Sequence, residues 1–218
     1  MKKSFIVIGL GRFGANVAKS LAQMNMDVLA VDIDEDAVTA ISKDVPHCLI
    51  ADSTKESVLR DLGARDVDHA VVAIGNNLEA SILTVINLKN IGVKNITVRC
   101  DLEAHKELYK LIGATDVINP EESSAILLSN QINSDSILDY YPITKDYIMV
   151  KISVSVDFGG KKLSELDLRN NFGVNIVGID RQGKFFIPLA NDEIKVDDIV
   201  VVVGASKNVH KFDYYLNN

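Results

Sequence analysis

Gly9-Leu10-Gly11-Arg12-Phe13-Gly14 follows a short apolar run and leads straight into a helical pattern. Glycines at this spacing between a strand and a helix bind the phosphates of a nucleotide. Gly9 permits the tight turn, Gly11 lets backbone approach a pyrophosphate, and Gly14 allows helix and strand to pack closely. Free amides at the helix N-terminus then receive the anion. Phe13 belongs to the same loop and begins the apolar face of the helix.

Arg12 is the unusual member. A cation in the first helical turn opposes the helix dipole. A bound anion of extra charge offsets that cost, and the terminal phosphate of ATP or ADP is such an anion. An arginine pointing into solvent is the plain alternative. Asp32 closes the second apolar run, where a carboxylate accepts hydrogen bonds from ribose hydroxyls and repels a 2′-phosphate. Asp34 is better placed than Asp32 to cap the next helix. Asp52 and Ser53 follow the third run, at the edge where ligands sit. Ser53 fits a capping box with Glu56 equally well.

These residues require a parallel sheet. Short apolar runs at 5–8, 28–31, 48–51, 70–74, 96–98 and 117–118 alternate with amphipathic helical patterns. Continuous apolar runs mark strands covered on both faces. The expected fold is α/β, a Rossmann-like doubly wound parallel sheet. Asn76 followed by Glu79 reads as a further helix start. Asn119-Pro120-Glu121-Glu122 begins a crossover helix with apolar residues on more than one face, which suits packing against a second subunit. The first domain is assigned to 1–134.

From 142 to 218 a small α+β domain is expected. Its features are alternating apolar positions over 148–156, a Gly159-Gly160 turn and a short helix over 163–168. A strand over 174–179, a turn at Arg181-Gln182-Gly183-Lys184, a strand over 199–204 and a terminal helix complete it. Such a small core points to dimerisation.

Composition sets limits. Of 218 residues, 47% are hydrophobic and 24% charged, the balance of an ordinary globular chain. The formal net charge of -7 disfavours nucleic acid. No apolar run approaches a bilayer span, and Met1-Lys2-Lys3 leads into a strand without a secretory segment. The expected location is therefore cytoplasmic, with no membrane insertion. Cys48 and Cys100 form no C-x-x-C and read as structural thiols. His47, His69, His105 and His210 do not converge, and no Walker A or G-x-S-x-G sequence occurs. The expectation is a non-enzyme.

The pattern resembles the RCK (regulator of potassium conductance) family, and within it the KtrA-type cytoplasmic subunits of bacterial Ktr transporters. The resemblance rests on the glycine loop, Val31-Asp32, Ala51-Asp52-Ser53-Thr54, Leu62-Gly63-Ala64 and Asn119-Pro120-Glu121. It implies homodimers assembled into an octameric ring beneath a membrane potassium-translocating subunit, with ATP and ADP setting different states. By resemblance Arg12 reaches the terminal phosphate, Asp32 the ribose, and Glu121 a bridging cation. The bland role of Glu121 is to complement its helix dipole. The C-terminal domain is similar to ones that bind cyclic di-AMP, with Arg169, Asn175, Ile176 and Pro188 in the corresponding segment. The competing function is an NAD(H)-binding redox sensor or small oxidoreductase.

Overall fold

A computed structural model describes residues 2–157 and 161–217, with the backbone alone for Gln131. The expected Gly159-Gly160 turn lies outside the described residues. The chain divides into two units, Met1–Glu121 and Glu122–Asn218.

The first unit is a six-stranded sheet of β1 (Ser4–Ile8), β2 (Asp27–Asp32), β3 (His47–Ile50), β4 (His69–Val72), β5 (Ile96–Arg99) and β6 (Asp116–Ile118). The order is β3-β2-β1-β4-β5-β6, with every neighbour parallel. This is the doubly wound order, in which the chain reverses direction between β1 and β4 and opens a crevice at the carboxyl edge.

Helices α1 (Arg12–Gln23), α2 (Glu35–Ile41), α3 (Glu56–Asp61), α4 (Leu78–Ile91) and α5 (Glu103–Ile112) cover the sheet. Alternate strand residues feed two cores. Ile6, Ile8, Val72, Val98, Leu88 and Tyr109 fill one face. Val7, Ala30, Val71, Ala18 and Ile41 fill the other. Period-2 alternation in strands buried on both sides produces this division.

The caps refine the expectations. Asp34 caps α2, accepting from the Asp36 amide at 2.9 Å. Asn77 rather than Asn76 caps α4, accepting from the Ala80 amide at 3.0 Å. Ser53 does not cap α3, whose N-cap is Lys55. Gly92, with φ 96°, ends α4 in the left-handed conformation that glycine adopts without strain.

Helix α6 (Pro120–Ile132) follows with proline at its first turn, as expected. Ile126, Leu127, Leu128 and Ile132 stay exposed on it. The division between the two units falls at the start of α6, between Glu121 and Glu122, where the sequence reading carried the first domain on to 134.

The second unit is a sheet of β7 (Ile137–Pro142), β8 (Tyr147–Ser153), β9 (Val174–Arg181), β10 (Lys184–Phe186) and β11 (Ile199–Ala205). The order is β10-β9-β11-β8-β7, antiparallel throughout. β7 starts at Ile137, ahead of the expected boundary at 142. A register shift between Ile137 and Asp139 breaks the alternation that would have revealed it. Gln182 and Gly183 take φ of 53° and 79°, the two-residue turn that matches the twist of a hairpin. The short helix expected over 163–168 is two, α7 (Leu163–Leu166) and α8 (Leu168–Phe172), parted at Asp167 with φ 43°. The terminal helix α9 (Ser206–Asn217) buries Val209, Phe212 and Leu216 against Ile148, Ile152 and Val202. Among the described residues no helix is long and apolar enough to cross a membrane.

Candidate functional site

A cavity of about 870 Å³ opens at the carboxyl edge of the first sheet, a size that suits a nucleotide. Gly9, Gly11, Arg12, Phe13, Asp32, Asp52, Ser53 and Glu121 all line it. The strand order gathers these residues from three strand ends and the start of α6.

Gly9 has φ 91°, and a side chain there would meet the Ala73 backbone at 2.8 Å. Gly14 does not line the cavity. It is buried, and a Cβ on it would lie 1.8 Å from the Gly9 carbonyl oxygen. Its role is the close approach of α1 to the loop, as expected. Gly11 is the N-cap of α1 and supplies no side-chain cap, which leaves the first-turn amides without a side-chain acceptor from it. No acid occupies the first turn of α1. Arg12 is exposed beside those amides, where a bound phosphate would be shared between backbone and guanidinium.

The Asp32 carboxylate is fixed by the backbone. Oδ2 accepts from the Leu10 amide at 2.5 Å and Oδ1 from the Asp34 amide at 2.9 Å. Each oxygen keeps a lone pair for a ribose hydroxyl. The bond from Leu10 ties the glycine loop to the end of β2.

Asp52 accepts from the Thr54 hydroxyl at 2.6 Å and the Thr54 amide at 3.1 Å. The Thr54 hydroxyl chiefly, then its amide and Lys55, hold the Asp52 carboxyl below its ordinary value despite some desolvation. Ser53 is buried, and its hydroxyl pairs with that of Thr84 on α4 at 2.8 Å. Asn87, also on α4, donates to the Thr54 carbonyl at 2.8 Å. The loop after β3 is therefore pinned from α4, which the sequence did not reveal.

Arg99 was also missed. It ends β5, and its Nη2 donates to Glu121 Oε1 at 2.7 Å and lies 3.1 Å from Asp101 Oδ1. Glu121 is held below the usual carboxylate range, first by its own backbone amide and then by Arg99. Among the described residues no group of three or more His, Cys, Asp or Glu side chains is arranged to hold a metal ion.

The remaining expected residues belong to the second unit. Arg169 on α8 donates through Nε and Nη2 to Asn175 Oδ1 at 3.3 and 3.1 Å. Ile176 packs against the core of that unit, and Pro188 follows β10 half-buried. A bidentate ion pair braces the same sheet: Arg181 Nε and Nη2 meet Asp198 at 2.8 and 2.7 Å.

Comparison with known proteins finds relatives for both parts of the chain. The TrkA-N domain family matches residues 5–120 and the TrkA-C domain family residues 148–217. The chain is 41% identical to Ktr system potassium uptake protein C of Bacillus subtilis (strain 168), over 98% of this chain and 97% of that one. It is 34% identical to Ktr system potassium uptake protein A of the same organism, over 97% and 96% of the two chains. In fold it is similar to the GsuK channel, with TM-score 0.68 at 15% identity over 100% of this chain and 40% of the channel chain. The glycine loop, the doubly wound sheet and the small antiparallel domain thus have one shared origin: the chain belongs to the TrkA-N/TrkA-C family, the RCK proteins that include the Ktr potassium uptake subunits.

Proposed function

We propose that this protein is a regulatory subunit of a Ktr potassium uptake system that binds ATP or ADP in the first unit and transmits the difference to a membrane potassium-translocating partner. The observation that carries the reading is Arg12 at the first turn of α1, inside a cavity that also holds the Asp32 carboxylate. A ligand shifts a conformational equilibrium only through differential affinity for its states. ATP and ADP differ in terminal phosphate charge, and Arg12 is a group that reads charge.

The cavity suits binding better than catalysis. No histidine, cysteine or lysine lines it among the described residues. Its acids all carry bonds within the chain: Asp32 with backbone amides, Asp34 with the Asp36 amide, Asp52 with Thr54 and Glu121 with Arg99. A cation at Glu121 would find one carboxylate, already bonded, so its other ligands must come from phosphate oxygens or a second copy of the chain. The exposed apolar residues of α6 supply a reason for pairing into dimers, and the resemblance to the RCK family is the reason to propose that dimers assemble into a cytoplasmic octameric ring.

In the second unit, cyclic di-AMP is the proposed ligand. Arg169 and Asn175 provide donors for phosphate and base, and Ile176 and Pro188 an apolar platform. A second reading, NAD(H) in the first unit, is favoured by Asp32, which accepts any ribose diol. The GsuK channel, similar in fold at 15% identity with TM-score 0.66 over 100% of this chain and 40% of its own, has been solved bound to NAD.

Calorimetric titration of the full-length protein with ATP, ADP, NADH and cyclic di-AMP tests these assignments. Binding of ATP and ADP at one site and cyclic di-AMP at another is expected. Binding of NADH alone would replace the proposal with the redox-sensor reading.

A further inference from the structure

Arg99 has a chemistry that its ion pair does not exhaust. Its side chain is 20% exposed and lines the same cavity as Arg12 and Asp32. Both carboxylate contacts fall on Nη2, while Nε is buried with no hydrogen-bond partner among the described residues. The guanidinium lies so close over Gly75 that a Cβ there would meet Nη1 at 2.2 Å. Gly75 is not among the glycines with positive φ, so its missing side chain provides clearance for Arg99 and not a special turn.

The strand order sets a direction. Asp32 on β2 lies to one side of the glycine loop, and β4 and β5 lie to the other. With a ribose on Asp32, a phosphate chain crossing the loop advances toward Gly75 and Arg99. We propose that Arg99 is a second phosphate-recognising cation of the nucleotide site, holding Glu121 when no phosphate is near and turning its free donors to the terminal phosphate of a nucleoside triphosphate. An arginine fork presents five donors, enough to serve a carboxylate and a phosphate at different edges. Because Glu121 sits in the first turn of α6, phosphate drawn onto Arg99 alters the tie between β5 and that helix. This deepens the ATP/ADP reading above and rests on it.

The test is titration of the full-length protein with ATP, ADP and AMP, in the wild type, Arg99→Gln, Arg99→Lys and Gly75→Ala. Arg99→Gln is expected to weaken ATP about tenfold while AMP changes less than about twofold, since only the charged contact to the distal phosphate is lost. Gly75→Ala keeps the charge but displaces the guanidinium, so it should reproduce the selective loss. It also decides the matter if Arg99→Gln does not fold. Arg99→Lys should recover part of the ATP affinity. Unchanged ATP binding in both Arg99→Gln and Gly75→Ala, or an equal loss for ATP and AMP, overturns the role of Arg99 and leaves the nucleotide reading standing. Failure of the wild type to bind any of the three nucleotides overturns both.

Discussion

Replacing Arg12 with alanine should move two quantities in opposite directions. Arg12 opens α1 with no acid in the first turn to offset it. A cation at that end costs about 0.3–1 kcal/mol, and alanine is the better helix former. The nucleotide-free protein should therefore gain roughly 0.5 kcal/mol of stability. The bound state should lose. A hydrogen bond from a charged donor to phosphate contributes about 1.5–3 kcal/mol. Arg12 is exposed, so water and salt screen the contact and the lower end applies. A loss of about 1.5 kcal/mol is roughly tenfold in Kd. Urea denaturation without nucleotide reads the gain, and calorimetry with ATP and AMP reads the loss. ATP should weaken about tenfold at low salt, AMP hardly at all, and the ATP difference should shrink as salt is raised. A variant that is less stable without nucleotide, or that binds ATP as the wild type does, would refute the assignment.

Other substitutions probe the supports. Gly14→Ala forces a Cβ to within 1.8 Å of the Gly9 carbonyl oxygen, so it should cost about 1–3 kcal/mol in denaturation and abolish measurable nucleotide binding. Thr84→Val strands the buried Ser53 hydroxyl and should cost about 1–3 kcal/mol, most of it recovered by Thr84→Ser. Arg181→Met leaves Asp198, 1% exposed, without its partner and should cost about 3 kcal/mol in the second unit. Burial alone would raise the Asp198 carboxyl, but Arg181 and the Lys195 amide hold it below its ordinary 3.8. A depressed carboxyl stabilises above its unfolded value, so the contribution is intact above 3.8 and fades as pH falls through the native value. Without Arg181 burial prevails, and acid unfolding of that unit should begin at a higher pH than in the wild type.

Local chemistry was legible in the sequence, and long-range pairing was not. The glycine loop, Asp32 and the Asp34 cap declare themselves through neighbours a few positions away. The partner of Ser53 is Thr84, on a helix that no local spacing connects to it, so the serine read equally as a ligand contact or a cap. Asn76 and Asn77 are both plausible caps, and only the backbone geometry of Asn77 chooses between them. β7 was lost because its bulge breaks the period of two. Arg99 carried one usable signal: it ends a strand at the ligand-bearing edge of the sheet. Its pairing with Glu121 and its clearance over Gly75 appear only once the strands are ordered.

The cores of the two units share no residue among those described: one set runs through the parallel sheet and its helices, the other through the antiparallel sheet and α9. Where the two units unfold as separate cooperative blocks, heating this protein gives two transitions, and a single midpoint would average unlike events. Each ligand then becomes a label. A nucleotide raises only the transition of the unit that holds it, by an amount set by its concentration relative to Kd, and leaves the other fixed. Scanning calorimetry with one ligand at a time would map each binding site to its unit without any mutation. Any shift that appeared in both transitions at once would measure the free energy of communication between the units.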